Sequence, residues 1–296
     1  MPIFQIKTKK AIPLKEKNFE SEQKLQEFID ENLDEFFGLK FIKREFGGQG
    51  LSIDTIAYDP ETKGPVLIEY KKDTQISVVD QGIAYLDWLL NHKGDYLVLL
   101  EEKLKIKDVD WSQTRVIFVA KNYSPHQIRA AGMQGIPFEL WRYDLYENLF
   151  NIQMVETPKS DVSFSSLMKS SAAKKISKEI KKFSIEDHLQ GRPKKLVSVF
   201  KVLREKILAI DNEIKEAAGK SVIMYKISGL AFLYLYFQSQ KICGMLRLEK
   251  LPVKFEFANQ RSVVKENPFK VAIKIISEDQ VGEALILIEK AYKATK

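Results

Sequence analysis

The chain carries 47 Lys and Arg residues against 40 Asp and Glu residues among 296, a formal net charge of +7 that favours a polyanionic partner. One cysteine, Cys243, excludes an internal disulfide and a cysteine-based zinc site, and only three histidines are present, so a bound metal needs oxygen ligands, which favours Mg²⁺ or Mn²⁺. The longest apolar stretch, Leu230–Phe237, is far shorter than the roughly 20 residues that cross a bilayer, and the N-terminus lacks the apolar core of a signal peptide, which together predict a cytoplasmic protein without a membrane partner.

Periodicity in the first half of the chain predicts helices and strands in alternation. A lead-in of residues 1–17 mixes basic and apolar residues and fits an edge strand. The predicted elements that follow are a helix over Asn18–Phe37 ended by Gly38, strands over Phe41–Phe46, Leu51–Tyr58 and Val66–Lys71, a helix over Val78–His92, strands over Tyr96–Leu100 and Arg115–Ala120, a helix over Pro125–Met133 and a strand over Phe138–Tyr146. This order predicts an α/β fold in which helices flank a mixed central sheet.

The composition changes near Glu156, where a segment rich in Ser and Lys begins. Residues 156–195 hold 10 Lys and Arg against 5 Asp and Glu, and residues 156–184 read as a basic linker with a nascent helix near Ala172–Phe183. Beyond it we predict a small α+β domain, with helix over Ile185–Ala218, strands over Ser221–Lys226, Ala231–Gln238, Ile242–Leu248 and Val271–Ile276, and a closing helix over Gln280–Lys293. The predicted domains are therefore residues 1–155 and 185–296.

Two carboxylates and a lysine converge if the predicted hairpin forms. Asp54 shares a strand face with Ile56 and Tyr58, while Glu69 and Lys71 share a face of the next strand. Such a group suits metal-assisted phosphodiester hydrolysis, because two carboxylates can bind a divalent cation and a lysine can position water or stabilise developing charge. The carbonyl of Tyr70 could supply another oxygen ligand. The alternative is a hairpin with a solvated polar face.

Two helical residues point toward the same place. Glu22 falls within the apolar stripe of the first helix, where a carboxylate needs a partner such as a metal or Lys71. Its alternative is the exposed first turn, where an acid interacts favourably with the helix dipole. Gln81 shares a face with Tyr85 on the second helix and could bind a phosphate or a metal-bound water, although a polar residue at a helix start explains it equally well.

These residues resemble a known family. The runs ESEQKLQEFIDENL, FIKREF, GGQGLSIDTIAYD, VLIEYKK and DQGIAYLDWLL look like the NucS-type branch of the PD-(D/E)xK nuclease superfamily over roughly residues 18–100. The resemblance implies a restriction-endonuclease-like fold in which Asp54 and Glu69 bind Mg²⁺ or Mn²⁺, Lys71 orients the nucleophile, and Glu22 and Gln81 support the site. Ile53 stands where the motif has proline. The C-terminal domain resembles a small uncharacterised domain found after such nuclease domains.

The resemblance therefore predicts a Mg²⁺-dependent endodeoxyribonuclease with DNA as its partner, in repair or defence. Many relatives act as homodimers, because two strands need two sites, and the sequence leaves this state open. Two alternatives belong to other classes: a non-catalytic nucleic-acid-binding module on a nuclease scaffold, and a protein-interaction component that docks through its second domain.

Overall fold

The computed structural model describes residues 3–48, 50–71, 78–158, 160–163, 171–180, 183–263 and 267–296. The chain divides into two compact units, residues 1–181 and residues 182–296. Within the described ranges, no helix is both long and apolar enough to cross a membrane.

The first unit is built on a seven-stranded mixed sheet. The described strands of the whole unit are β1 (Phe4–Lys7), β2 (Lys10–Pro13), β3 (Glu16–Lys17), β4 (Lys40–Gly48), β5 (Leu51–Tyr58), β6 (Pro65–Lys71), β7 (Arg115–Ala120), β8 (Met133–Gln134), β9 (Phe138–Tyr146), β10 (Phe150–Met154) and β11 (Ser160–Ser163). The sheet order is β10-β9-β7-β6-β5-β4, with β3 added to β9. Among the described residues, β1 pairs with β2 alone and β8 with β11 alone. Strands β6, β7 and β9 run parallel and their neighbours run antiparallel.

Helices cover both faces of this sheet, which confirms the predicted α/β fold class. They are α1 (Glu22–Glu31), α2 (Leu33–Phe37), α3 (Val78–Asn91), α4 (Lys93–Leu104), α5 (Pro125–Ala131) and α6 (Ser171–Glu179). On one face α1 and α2 bury Leu25, Ile29 and Leu33 against the sheet. On the other face α3 buries Leu86 and Leu89. The spacing of three and four residues places these apolar side chains on single helix faces.

Two local predictions are corrected. The single helix predicted over Asn18–Phe37 is two helices, because Asn32 leaves helical geometry at φ −121° and starts α2 as its N-cap. The strand predicted over Tyr96–Leu100 lies instead inside α4. Tyr96 and Leu100 are both 0% exposed whereas Val98 is 66% exposed, a pattern with helical spacing that no strand face reproduces.

Part of the segment predicted as a basic linker is a packed helix. Helix α6 buries Ala173 and Ile176, and Ile180 follows them into the core cluster that also holds Leu86 of α3. Lys175 Nζ donates to Asn91 Oδ1 at 2.5 Å, and Lys93 forms an ion pair with Glu179. The lysines of this stretch occupy the solvent side of an amphipathic helix, which explains why composition alone indicated a linker.

The second unit is a six-stranded antiparallel sheet with helices packed on one face. Its elements are α7 (Ile185–Leu189), α8 (Lys194–Leu208), β12 (Lys215–Ala218), β13 (Ile223–Ile227), β14 (Leu230–Gln238), β15 (Lys241–Leu246), β16 (Ala258–Gln260), β17 (Val271–Ile275) and α9 (Val281–Thr295). The helix predicted over Ile185–Ala218 is wrong in two places. Gly191 at φ +72° and Pro193 interrupt it, and Lys215–Ala218 forms an edge strand paired with β13.

Candidate metal centre

The candidate centre lies where β5 and β6 separate. The antiparallel pairing of these strands ends with Thr55 opposite Ile68, so Asp54 and Glu69 are the first residues beyond it. The Asp54 carboxylate replaces the next backbone acceptor, because its Oδ2 atom accepts a hydrogen bond of 2.9 Å from the Tyr70 backbone N–H. The two strands therefore part beside the carboxylates of Asp54 and Glu69.

Glu69 is the most buried acid of the centre, with 1% of its side chain exposed. Three donors surround its carboxylate. Lys71 Nζ lies 2.5 Å from Oε1, Gln81 Nε2 donates to Oε1 at 2.6 Å, and the Tyr85 hydroxyl donates to Oε2 at 2.7 Å. Because a buried charge is tolerated only when it is paired and hydrogen-bonded, these contacts fix the Glu69 carboxylate in place.

Lys71 links the sheet to the first helix. Its side chain is 14% exposed, and its Nζ atom lies 3.4 Å from Glu22 Oε1 as well as 2.5 Å from Glu69. Burial lowers the pKa of Lys71, but the hydrogen bond and charge of Glu69, with the charges of Glu22 and Asp54, raise it more. The pKa therefore ends above its ordinary value, and Lys71 is a positively charged donor at neutral pH.

Glu22 lies in the first turn of its helix and also contacts Lys71, so it meets both interpretations given for it from the sequence. It occupies the first turn of α1, which Ser21 caps by accepting from the Lys24 backbone N–H, and its side chain is 44% exposed. It also contacts Lys71 across the end of β6. The structure therefore brings Glu22 to the centre through its contact with Lys71, and the charge of Glu22 also contributes to the raised pKa of Asp54.

Gln81 on α3 donates twice and leaves its oxygen unused. Its Nε2 atom donates to Glu69 Oε1 at 2.6 Å and to the Tyr85 hydroxyl at 2.7 Å, so exchanging the amide oxygen and nitrogen would place two oxygens in repulsion. Its Oε1 atom is buried and has no hydrogen-bond partner among the described residues. A buried acceptor without a donor costs free energy, so this atom marks a place for water or a ligand.

The donor set fits a hard divalent cation. Burial and the nearby charge of Glu69 raise the pKa of Asp54 to about 7, and a cation beside the two carboxylates would lower it. Within the described ranges, no cluster of three or more His, Cys, Asp and Glu side chains could hold a metal. A cation held here would take Asp54 and Glu69, with backbone carbonyl, water or phosphate oxygens as its remaining ligands, as Mg²⁺ commonly does.

A buried polar network under the centre escaped prediction from the sequence. Gln26 Nε2 donates to the Asp54 carbonyl at 2.6 Å, one helical turn along α1 from Glu22. A further turn along, Asp30 accepts from the Tyr70 hydroxyl at 2.8 Å, from Thr55 Oγ1 at 2.8 Å and from Arg44 Nε at 2.5 Å. The spacing Glu22, Gln26, Asp30 is the available sequence signal, because three polar residues four apart share a helix face. These contacts hold both strands of the centre.

The raised pKa of Asp54 predicts a pH-dependent stability. A carboxyl that binds its proton more tightly when folded adds stability below its unfolded pKa of 3.8 and loses that contribution as pH rises to about 7. Asp54→Asn keeps an oxygen acceptor for the Tyr70 N–H and removes the charge. In EDTA, the melting temperature of Asp54→Asn minus that of the unsubstituted protein should increase from pH 4 to pH 7, because only the unsubstituted protein loses the contribution of Asp54. A difference in melting temperature that stays constant across this pH range would contradict the prediction. So would a larger increase in melting temperature on adding Mg²⁺ to Asp54→Asn than to the unsubstituted protein.

The fold and the centre together define an α/β protein with a carboxylate–lysine centre at the end of its mixed sheet. The chain belongs to the family of an uncharacterized protein from Haemophilus influenzae, with which it is 35% identical over 232 residues, covering 76% of this chain and 77% of the relative. Residues 185–295 match a domain of unknown function, DUF5655.

Three solved structures show low similarity. They are EndoMS in complex with double-stranded DNA (20% identity, TM-score 0.26, covering 47% of this chain and 46% of that one), a repair endonuclease from Pyrococcus abyssi (21%, 0.26, 42% and 48%) and SfsA from Pyrococcus furiosus with Ca²⁺ (16%, 0.25, 49% and 73%). This chain spans less than half the length of the first two. TM-scores of this size leave function to be argued from the centre itself.

Proposed function

We propose that the first unit is a metal-dependent endonuclease that hydrolyses phosphodiester bonds of DNA. The observation that carries the proposal is the meeting of Asp54, Glu69 and Lys71 where β5 and β6 separate. Two carboxylates beside one protonated lysine match the charge needs of phosphodiester hydrolysis, in which a cation and a fixed donor stabilise the negative charge that develops on the phosphate.

Asp54 and Glu69 would hold a Mg²⁺ or Mn²⁺ ion. The Tyr70 carbonyl could supply a further oxygen ligand, and Glu22 is the acid that, by the resemblance, completes the centre. When bound, such an ion polarises the phosphate and lowers the pKa of a coordinated water. Lys71 acts as a donor and not as a base, because its pKa is raised. It would orient the attacking water and contact the phosphate, while Gln81 and Tyr85 keep Glu69 from turning away.

The test is a cleavage assay on the full chain. Single-stranded, duplex and branched DNA would be incubated with the protein and Mg²⁺ or Mn²⁺, with EDTA as the control and an RNA of the same sequence in parallel. We expect internal cleavage of at least one DNA that EDTA abolishes. Intact DNA in every reaction, or cleavage indifferent to EDTA, would rule the proposal out.

One observation favours a second candidate, a non-catalytic nucleic-acid-binding module. Lys71, Gln81 and Tyr85 already satisfy the Glu69 carboxylate without a cation. Such a module would bind DNA with strong salt dependence, and EDTA would leave its affinity unchanged. Measuring binding with and without Mg²⁺ in the absence of cleavage separates the two candidates.

A further inference from the structure

A short hairpin stands apart from the central sheet of the first unit. Strands β1 and β2 pair in a four-residue register from Phe4 opposite Pro13 to Lys7 opposite Lys10, and neither joins another strand among the described residues. The chain then enters β3, which joins β9. We call residues 3–17 the arm.

The arm is strongly basic. It holds five lysines and one acid, Glu16, giving it a net charge of +4; the lysines are Lys7, Lys9, Lys10, Lys15 and Lys17. All five are exposed, and no described carboxylate lies within ion-pair distance of any of them. The Glu16 carboxylate forms an ion pair with Lys121, whose Nζ atom lies 2.5 Å from Oε1, so it does not neutralise the lysines of the arm. The side chains therefore repel one another unless an anion lies against them.

Apolar side chains on the arm are also uncovered. Phe4 is 50% exposed, Ile6 is 79% exposed and Ile12 is 43% exposed. Phe4 and Ile6 share one face of the hairpin by strand alternation, and Ile12 lies on the other. Lysines mixed with an aromatic and two aliphatic residues on a narrow hairpin suit a nucleic acid, because the ammonium groups contact phosphates while apolar groups contact sugars and bases.

The root of the arm, at Glu16 and Lys17, lies at the same end of the sheet strands as the candidate centre. Lys71 at the end of β6 is level with Ala120 of β7, which is level with Arg142 of β9. Strand β3 pairs with Leu145 and Tyr146, which come after Arg142 in β9. It lies on the same side of β9 as β7, because β10 pairs with the other side. At about 3.3 Å per residue, Lys17 opposite Leu145 lies roughly 10 Å further along the strand direction than Lys71.

Lys121 anchors this arrangement. It directly follows Ala120, the last residue of β7, and its Nζ atom contacts Glu16 Oε1 and Asn18 Oδ1, each at 2.5 Å. The root of the arm is thus tied to the strand next to β6. An extended anion bound at the end of β6 would therefore lie near the residues from which the arm projects.

We propose that the arm is a docking surface for the sugar–phosphate backbone of duplex DNA and that it guides the backbone toward the centre at Asp54, Glu69 and Lys71. The inference rests on the proposed function and adds to it the surface that binds the substrate. A second copy of the chain is disfavoured as the occupant, because two arms of charge +4 repel each other.

The test compares two variants with equal loss of charge. In the first, Lys7, Lys9 and Lys10 at the tip of the arm are replaced by glutamine. In the control, Lys103, Lys105 and Lys107 are replaced by glutamine; they precede Asp108, which pairs with Lys63 at the end of β6 opposite to Lys71. Binding of a fluorescent duplex of about 25 base pairs would be measured in EDTA across a salt series, with melting temperature as the check on folding.

The arm variant should bind at least about 10-fold more weakly, and the slope of log affinity against log salt should fall by about 2 to 3, because each phosphate contact contributes about 0.9. The control should change affinity less than about 2-fold, since it loses the same net charge at a place that the proposed duplex does not touch. Equal affinity and slope in the two variants would overturn the proposal. The proposal would also be overturned if the arm variant lost binding to vesicles of anionic lipid but kept its affinity for DNA. Absence of DNA binding by the unsubstituted chain would overturn it as well.

The cleavage assay separates this failure from failure of the proposed function. If the original chain cleaves DNA and the arm variant binds as tightly as the control, the arm is excluded and hydrolysis stands. If DNA binds through the arm but Mg²⁺ and Mn²⁺ produce no cleavage, hydrolysis is excluded and the docking surface stands.

Discussion

Replacing Lys71 by methionine is expected to slow metal-dependent DNA cleavage by about 100- to 1000-fold, the range found when one fixed electrostatic donor is removed from an active site. Methionine keeps a similar length and apolar stem but loses the ammonium group, which lies 2.5 Å from Glu69 and 3.4 Å from Glu22. Glu69 retains its hydrogen bonds from Gln81 and Tyr85, so the carboxylate stays in place. The measured quantity is the single-turnover rate at saturating DNA and Mg²⁺.

Lys63→Met is the matched control for this experiment. Lys63 lies just before the start of β6, at the other end of the strand from Lys71, and makes an exposed ion pair of 2.5 Å with Asp108. Exposed ion pairs contribute little, so its rate should remain within about 2-fold of the original. Retention of more than about a tenth of the rate by Lys71→Met would remove the lysine from the proposed chemistry.

Replacing Asp30 by alanine should destabilise the first unit by about 3 kcal/mol. The Asp30 side chain is 2% exposed and accepts from the buried hydroxyls of Tyr70 and Thr55, each at 2.8 Å, and from Arg44 at 2.5 Å. Alanine leaves both hydroxyls without this acceptor, and a buried polar group left without a partner costs about 1–3 kcal/mol. For a unit of this size the melting temperature should fall by roughly 6 to 12 °C.

Asp34→Ala serves as the control, because it removes an acid only four residues away. The Asp34 side chain is 65% exposed and its ion pair with Lys40 Nζ, at 2.7 Å, lies in water. Its loss should change stability by less than about 1 kcal/mol. Urea unfolding followed by circular dichroism measures both variants, and equal midpoints for the two would show that the network under the centre does not stabilise the fold.

The residues of the candidate centre could be placed from sequence because strand alternation is local. Alternation assigned Glu69 and Lys71 to one face of β6 and Tyr70 to the other, and the contacts of Glu69 with α3 and of Tyr70 with α1 follow that assignment. The roles given to these side chains and the bound metal stay predictions, since the geometry alone does not test them.

The supporting network could not be found in the same way. Gln26 and Asp30 lie 28 and 40 residues before the Asp54 carbonyl and the Tyr70 hydroxyl that they contact. In a single sequence, polar residues on an amphipathic helix indicate the side that faces solvent. Only the packing of α1 on the sheet shows that Gln26 and Asp30 face the protein interior instead. The error at Tyr96–Leu100 has the same origin, because five apolar residues fit a buried strand or a buried helix equally well.

The hydrogen bond from the Tyr70 N–H to Asp54 Oδ2 gives one side chain two separable duties. An asparagine at position 54 could still accept that bond through its amide oxygen, so the two strands would part in the same way, but the negative charge would be gone. In the endonuclease proposed for the first unit, Asp54→Asn would therefore preserve the architecture of the centre and remove one of the two carboxylates that would hold the metal.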